Sequence, residues 1–132
     1  MRHVFINLPV ADLERSVAFF TALGFEKNPQ FSDHTAACMV VDQNIFVMLL
    51  THAKFAEFVT GPIADANAGT SVLIALSSES REAVTALKQK ALAAGGRAWK
   101  PDMDLGFMFG ASFQDPDGHV WETMWMDPSA VQ

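Results

Sequence analysis

With 132 residues, half of them hydrophobic, the chain is long enough to bury a real core and too apolar to be a disordered segment. A formal charge of -6 with only nine Lys and Arg excludes a surface that tracks phosphates, so nucleic acid is not an expected partner. The longest strongly apolar run, Ile45 to Leu50, is far too short to cross a bilayer, so no membrane partner is expected either.

Cys38 is the single cysteine, which leaves no internal disulfide and fits a reducing compartment. Pro9 and Asp12 interrupt the N-terminal stretch before it could serve as a signal peptide, and the expectation is a cytoplasmic protein. No base or lysine adjoins Cys38 in the sequence, so it reads as a small core residue rather than a reactive thiol.

Residues 2 to 9 read as a strand. Asp12 is placed to cap a helix whose stripe is Leu13, Val17, Phe20 and Leu23. Gly24 ends that helix, with Phe25 covering it as in a Schellman motif. Strands follow at about Glu26 to Phe31, Thr35 to Val41 and Asn44 to Thr51. His52 to Thr70 holds a short helix near Lys54–Phe58, then Gly61–Pro62 and small residues, and reads as a linker.

The plan then repeats. Ser71 to Leu76 is an apolar strand, and Ser77 or Ser78 caps a helix with Glu79 and Glu82 in its first turn. Val84, Leu87 and Ala91 form its inner stripe, Lys88 and Lys90 suit its C-terminal dipole, and Gly95–Gly96 closes it. Strands are expected near Arg97 to Lys100, Phe107 to Gln114 and His119 to Met126. The segment "DMDLGFMFG" is either the approach to a hairpin or a cover over a site. The expectation is an α+β fold of two βαβββ modules, about 1–51 and 70–132 with a linker at about 52–69. Paired in one domain, they would form a curved mixed sheet around a cleft.

Two stretches carry a resemblance. "FINLPVADLERSVAFFTALGF" looks like a strand, an Asp-Leu-Glu-x-Ser cap and a Phe-(Tyr/Phe)-x-x-Leu-Gly-Phe helix end. "FQDPDGHVWE" looks like a Phe-x-Asp-Pro-Asp-Gly-(Asn/His)-x-x-Glu ending. With the duplicated plan between them, the chain resembles the vicinal oxygen chelate superfamily, the group of glyoxalase I, extradiol dioxygenases and the bleomycin and fosfomycin resistance proteins.

Enzymes of that superfamily hold one divalent metal with His, Glu and Gln ligands, leaving positions open for two substrate oxygens. Carried over by position, the C-terminal ligand is Glu122, the first-strand ligand falls on Phe5, and that of the second module's first strand falls on Ser71. A further ligand would fall at Val47 or Leu49. Only Glu122 of these is a good ligand, so a divalent metal is disfavoured, with His3 a weak second candidate. His119 alternates to the face opposite Glu122, and His34 and His52 sit in turns.

Along the last strand Trp121, Thr123 and Trp125 alternate with Val120, Glu122 and Met124, so Glu122 is expected to face the cleft. There it is either solvated, paired with a donor, or a ligand-recognition group or general base with a raised pKa. Phe5, Asn7, Val47, Leu49, Ser71, Leu73 and Met124 would line the cavity with it. The leading expectation is a metal-independent small-molecule binder laid out like the bleomycin resistance proteins, and the resemblance implies a homodimer. Its rivals are a glyoxalase-like lyase, isomerase or dioxygenase using Glu122, and a structural domain whose cleft is filled by its own side chains.

Overall fold

The computed structural model of the chain describes residues 1–130. The fold is α+β, with two mixed sheets of four and five strands. The chain divides into two units, Met1 to Asp65 and Ala66 onward, and each carries one sheet.

In the first unit, β1 (Val4–Val10) leads into α1 (Leu13–Ala22), then β2 (Glu26–Asn28), β3 (Ala36–Asp42), β4 (Ile45–Thr51) and the short α2 (His52–Ala56). The strand order is β1-β4-β3-β2, with β1 parallel to β4 and the other pairs antiparallel. Asp12 caps α1, its carboxylate accepting from Arg15 N at 3.1 Å, a contact worth about 1 kcal/mol. The helix ends at Gly24, which has φ +101. Gly24 N donates to Thr21 O at 3.0 Å, Phe25 N donates to Phe20 O at 3.1 Å, and the two Phe rings stack 5.9 Å apart. This is the expected Schellman closure with its apolar contact.

The buried stripe of α1 is Ser16, Phe19, Phe20 and Leu23, with Leu13 and Val17 only half-buried. The stripe is rotated from the expected one because Ser16, being small, is completely buried. The expected strand at Glu26 to Phe31 stops at Asn28, and Pro29–Phe31 form a 3-10 turn in which the Asn28 side chain accepts from Gln30 N at 3.0 Å. Proline has no N–H for the ladder.

The second unit repeats the topology: β5 (Leu73–Ser77), α3 (Arg81–Ala93), β6 (Arg97–Ala98), β7 (Met103–Asp104), β8 (Met108–Gln114) and β9 (Val120–Met126). Its order is β5-β9-β8-β6, with β7 also on β8, and the first strand again runs parallel to the last. The helix cap is Ser80, whose hydroxyl accepts from Ala83 N at 3.0 Å, rather than Ser77 or Ser78. Ser77 is still in the strand, and Ser78 N is committed to Met124 O at 2.7 Å.

The segment at 102–110 is a hairpin fastened to α3, not a free cover. Lys88 holds Asp102 at 2.6 Å, and Arg81 grips both Asp104 oxygens at 3.0 and 2.9 Å and the Gly106 carbonyl at 2.8 Å. The Arg81 guanidinium also lies over the Phe109 and Trp125 rings, 5.3 and 5.2 Å from their centroids. No helix among the described residues is long and apolar enough to cross a membrane.

Candidate functional site

Strand pairing decides which side chains share a face. In the second sheet Glu122 pairs with Ala75 on β5 and with Ser112 on β8, and these three point the same way. The row beside it runs Met103, Gly110, Met124 across β7, β8 and β9. Gly110 contributes no side chain between its two methionine neighbours, so a depression opens there. It is a cavity of about 60 Å³, lined by Met103, Met108, Gly110, Met124, Glu122 and Lys100 among others. The opposite face carries Trp121, Thr123 and Phe113, all at most 1 % exposed, and α3 packs on β8 and β9.

The Glu122 carboxylate has a partner that its sequence position did not disclose. Lys100 Nζ stands 3.4 Å from Glu122 Oε2, with 18 % of the Glu122 side chain and 42 % of the Lys100 side chain exposed. The ammonium also lies 5.6 Å from the centroid of the Trp99 ring. Across the strand pair Ser112 is buried, and its hydroxyl has no hydrogen-bond partner.

The turn before β9 is built around a buried carboxylate. Asp115 Oδ1 accepts from Asp117 N and His119 N, each at 3.0 Å, and Oδ2 accepts from the Trp121 indole at 3.1 Å. Burial pushes the Asp115 carboxyl up, and nearby His119 and these donors pull it partly back. Asp115 therefore fixes the start of the strand that presents Glu122. Burial also pushes the Cys38 thiol up, which disfavours its thiolate and suits a core residue.

The other expected site residues are spread over two faces and both units. Leu73 and Met124 share the face of Glu122, but Ser71 lies ahead of β5 and is exposed. In the first unit Phe5 and Asn7 share one exposed face of β1, and Asn7 donates to the Phe5 carbonyl at 3.2 Å. Val47 and Leu49 pair with Ile6 and Leu8 on the other face and are fully buried, so they belong to the core rather than to the Phe5 face. Their intended places are taken by Phe46 and Met48, which pair with Phe5 and Asn7. The apolar run of β4 has no polar residue to mark its outward side, so its parity could not be read.

This donor set does not fit a divalent metal. Glu122 faces an ammonium, and the Phe5 ring stacks on Phe46 at 4.9 Å. His3 stacks on Phe46 at 5.6 Å and on Phe5 at 6.4 Å. Among the described residues no three His, Cys, Asp or Glu side chains gather where they could hold one ion. Met124 was named from sequence, but Ser112 and Met103 were not, because their places follow from pairing across strands, and Lys100 reaches Glu122 from the segment after β6. Gly110 ends the segment DMDLGFMFG, where a glycine by itself marks only a bend.

Residues 2–42 match the family model of the bleomycin resistance protein-like N-terminal region. No curated protein matches the chain. Among solved structures, a hypothetical protein from S. aureus is 26 % identical with a TM-score of 0.80, over 95 % of this chain and 94 % of that one. A glyoxalase-related enzyme from Fulvimarina pelagi is 22 % identical with a TM-score of 0.79, over 95 % and 88 %. A glyoxalase/bleomycin resistance protein/dioxygenase family enzyme from Burkholderia phytofirmans is 18 % identical with a TM-score of 0.78, over 96 % and 99 %. The chain is thus similar in its N-terminal region to bleomycin resistance-like proteins, and it shares its fold with glyoxalase-related proteins.

Proposed function

We propose that the chain binds a small organic molecule at the Glu122 face of its second sheet and does so without a divalent metal. The observation that carries this reading is the Lys100–Glu122 pair beside the cavity floored by Gly110. A cavity with apolar walls and a few polar groups at one end is the usual make-up of a small-molecule site. The carboxylate that would serve as a metal ligand in the superfamily already has a cation from its own chain.

The exposed face bearing Phe5 and Asn7 is proposed as a further ligand-contacting surface. The same reading takes the chain as a single domain that works in the cytoplasm as a homodimer, which light scattering after size exclusion would test. Binding is tested by thermal shift across a broad library of small aromatic and amphipathic compounds, where several stabilising hits are expected. Silence across the library would overturn the binding claim. Elemental analysis of the purified protein should find no stoichiometric divalent metal, and one equivalent of zinc, nickel, manganese or iron would overturn the metal-free part.

A further inference from the structure

The polar end of the cavity holds both signs of charge at close range. Lys100 Nζ and Glu122 Oε2 are 3.4 Å apart, longer than the ~2.8 Å of a tight charge-assisted hydrogen bond. Both groups therefore keep capacity for another partner. Ser112 adds a buried, unpartnered hydroxyl directly opposite Glu122, at a Cβ separation of roughly 5 Å for such a pair. A volume of about 60 Å³ is several times the ~10–15 Å³ that one water needs. It therefore admits a head group of a few heavy atoms rather than a whole ligand.

An anion entering here would gain Lys100 but face the Glu122 carboxylate. A cation would gain Glu122 but face the Lys100 ammonium. Either ion must weaken the existing pair and leave one charge poorly compensated in a partly buried place. An uncharged group with one donor and one acceptor satisfies both: N–H donates to Glu122, and its carbonyl oxygen accepts from Lys100. The Ser112 hydroxyl is then a third available partner. Outside the head group, the thioethers of Met103, Met108 and Met124 offer soft contacts suited to a flat ring.

We infer that this pocket selects an uncharged carboxamide-type head group carried on a flat apolar body. The inference rests on the small-molecule reading above. Benzamide, benzoate and benzamidinium are nearly the same shape and differ in charge, so they isolate the claim. Titrations of each, followed at the backbone amides of Gly110 and Glu122 by NMR, should show benzamide binding about ten-fold tighter than either ion. Lys100→Met should remove that preference in favour of benzamidinium, and Glu122→Gln should shift it towards benzoate. Gly110→Val, which fills the floor, should abolish all three responses.

Either ion binding as tightly as benzamide, or a rank order unmoved by Lys100→Met, overturns the inference and leaves small-molecule binding intact. So does silence from benzamide while other library compounds bind. Silence from every probe and from the whole library overturns both.

Discussion

Gly118 closes the turn that sets up β9, and replacing it with alanine tests whether that turn depends on its neighbours. Its φ is +93, a region that costs an L residue about 1–2 kcal/mol. A Cβ there would also stand 2.7 Å from Asn67 Cγ and 3.0 Å from Asn67 Nδ2, which no side chain tolerates without movement. Asn67 is not idle. It donates to the Asp117 carbonyl at 3.2 Å and accepts from Arg97 at 2.6 Å, so displacing it sacrifices two exposed hydrogen bonds worth together about 1 kcal/mol. Gly118→Ala should therefore cost about 2–3 kcal/mol in urea denaturation and lower Tm by roughly 8–12 °C. Asn67→Ala alone should cost about 1 kcal/mol. The double variant should be about as stable as Gly118→Ala, because the clash has gone with the amide. A Gly118→Ala protein within ~0.5 kcal/mol of the parent would refute the backbone argument. Strict additivity in the cycle would refute Asn67 as the obstacle.

Three further outcomes follow from named contacts. Leu49→Ala should cost about 2–5 kcal/mol as a core cavity, whereas Phe5→Ala should cost only about 1 kcal/mol from its exposed stack on Phe46; equal losses in chemical denaturation would contradict the assigned faces. Asp115→Ala strands the Trp121 indole and two turn N–H groups, so a loss of about 3 kcal/mol or more is expected, with Asp115→Asn intermediate; tryptophan fluorescence during unfolding reads both. The Arg81 guanidinium holds Asp104 down to about 2, below its ordinary 3.8, so this pair stabilises the fold above the unfolded value and the benefit fades as pH falls towards 2. Asp104→Asn should thus narrow its stability gap to the parent between pH 5 and 2, which acid titrations at fixed urea would show, and a gap constant with pH would count against the pair.

The parts of the fold that were legible in sequence are those fixed by local chemistry. Asp12 caps α1 and Gly24–Phe25 closes it because capping and positive φ are decided within a few residues. The Trp121–Glu122 alternation was readable because charge and aromatic bulk mark opposite sides of β9. Where those markers fail, so does the reading. Ile45 to Leu50 is apolar on both sides, and nothing within it says that Val47 and Leu49, rather than Phe46 and Met48, meet the core. Among Ser77, Ser78 and Ser80 any hydroxyl could cap a helix, and the choice falls to Ser80 once the strand and Met124 have claimed the other two.

The candidate site was legible in sequence at Glu122 and Met124 of β9 and not at Lys100. Glu122 could be assigned to a strand and a face, but its meaning depends on what stands opposite, and Lys100 reaches it from a segment with no pattern pointing there. The same is true of Gly110, where the useful property is a missing side chain between Met103 and Met124. A metal-ligand motif is a list of positions, whereas this pocket combines cross-strand neighbours with a lysine from the segment between β6 and β7. Glu122 stands 3.4 Å from the ammonium of Lys100. It is half of a dipolar pair, which we propose favours a neutral, hydrogen-bonding guest over an ion of either sign.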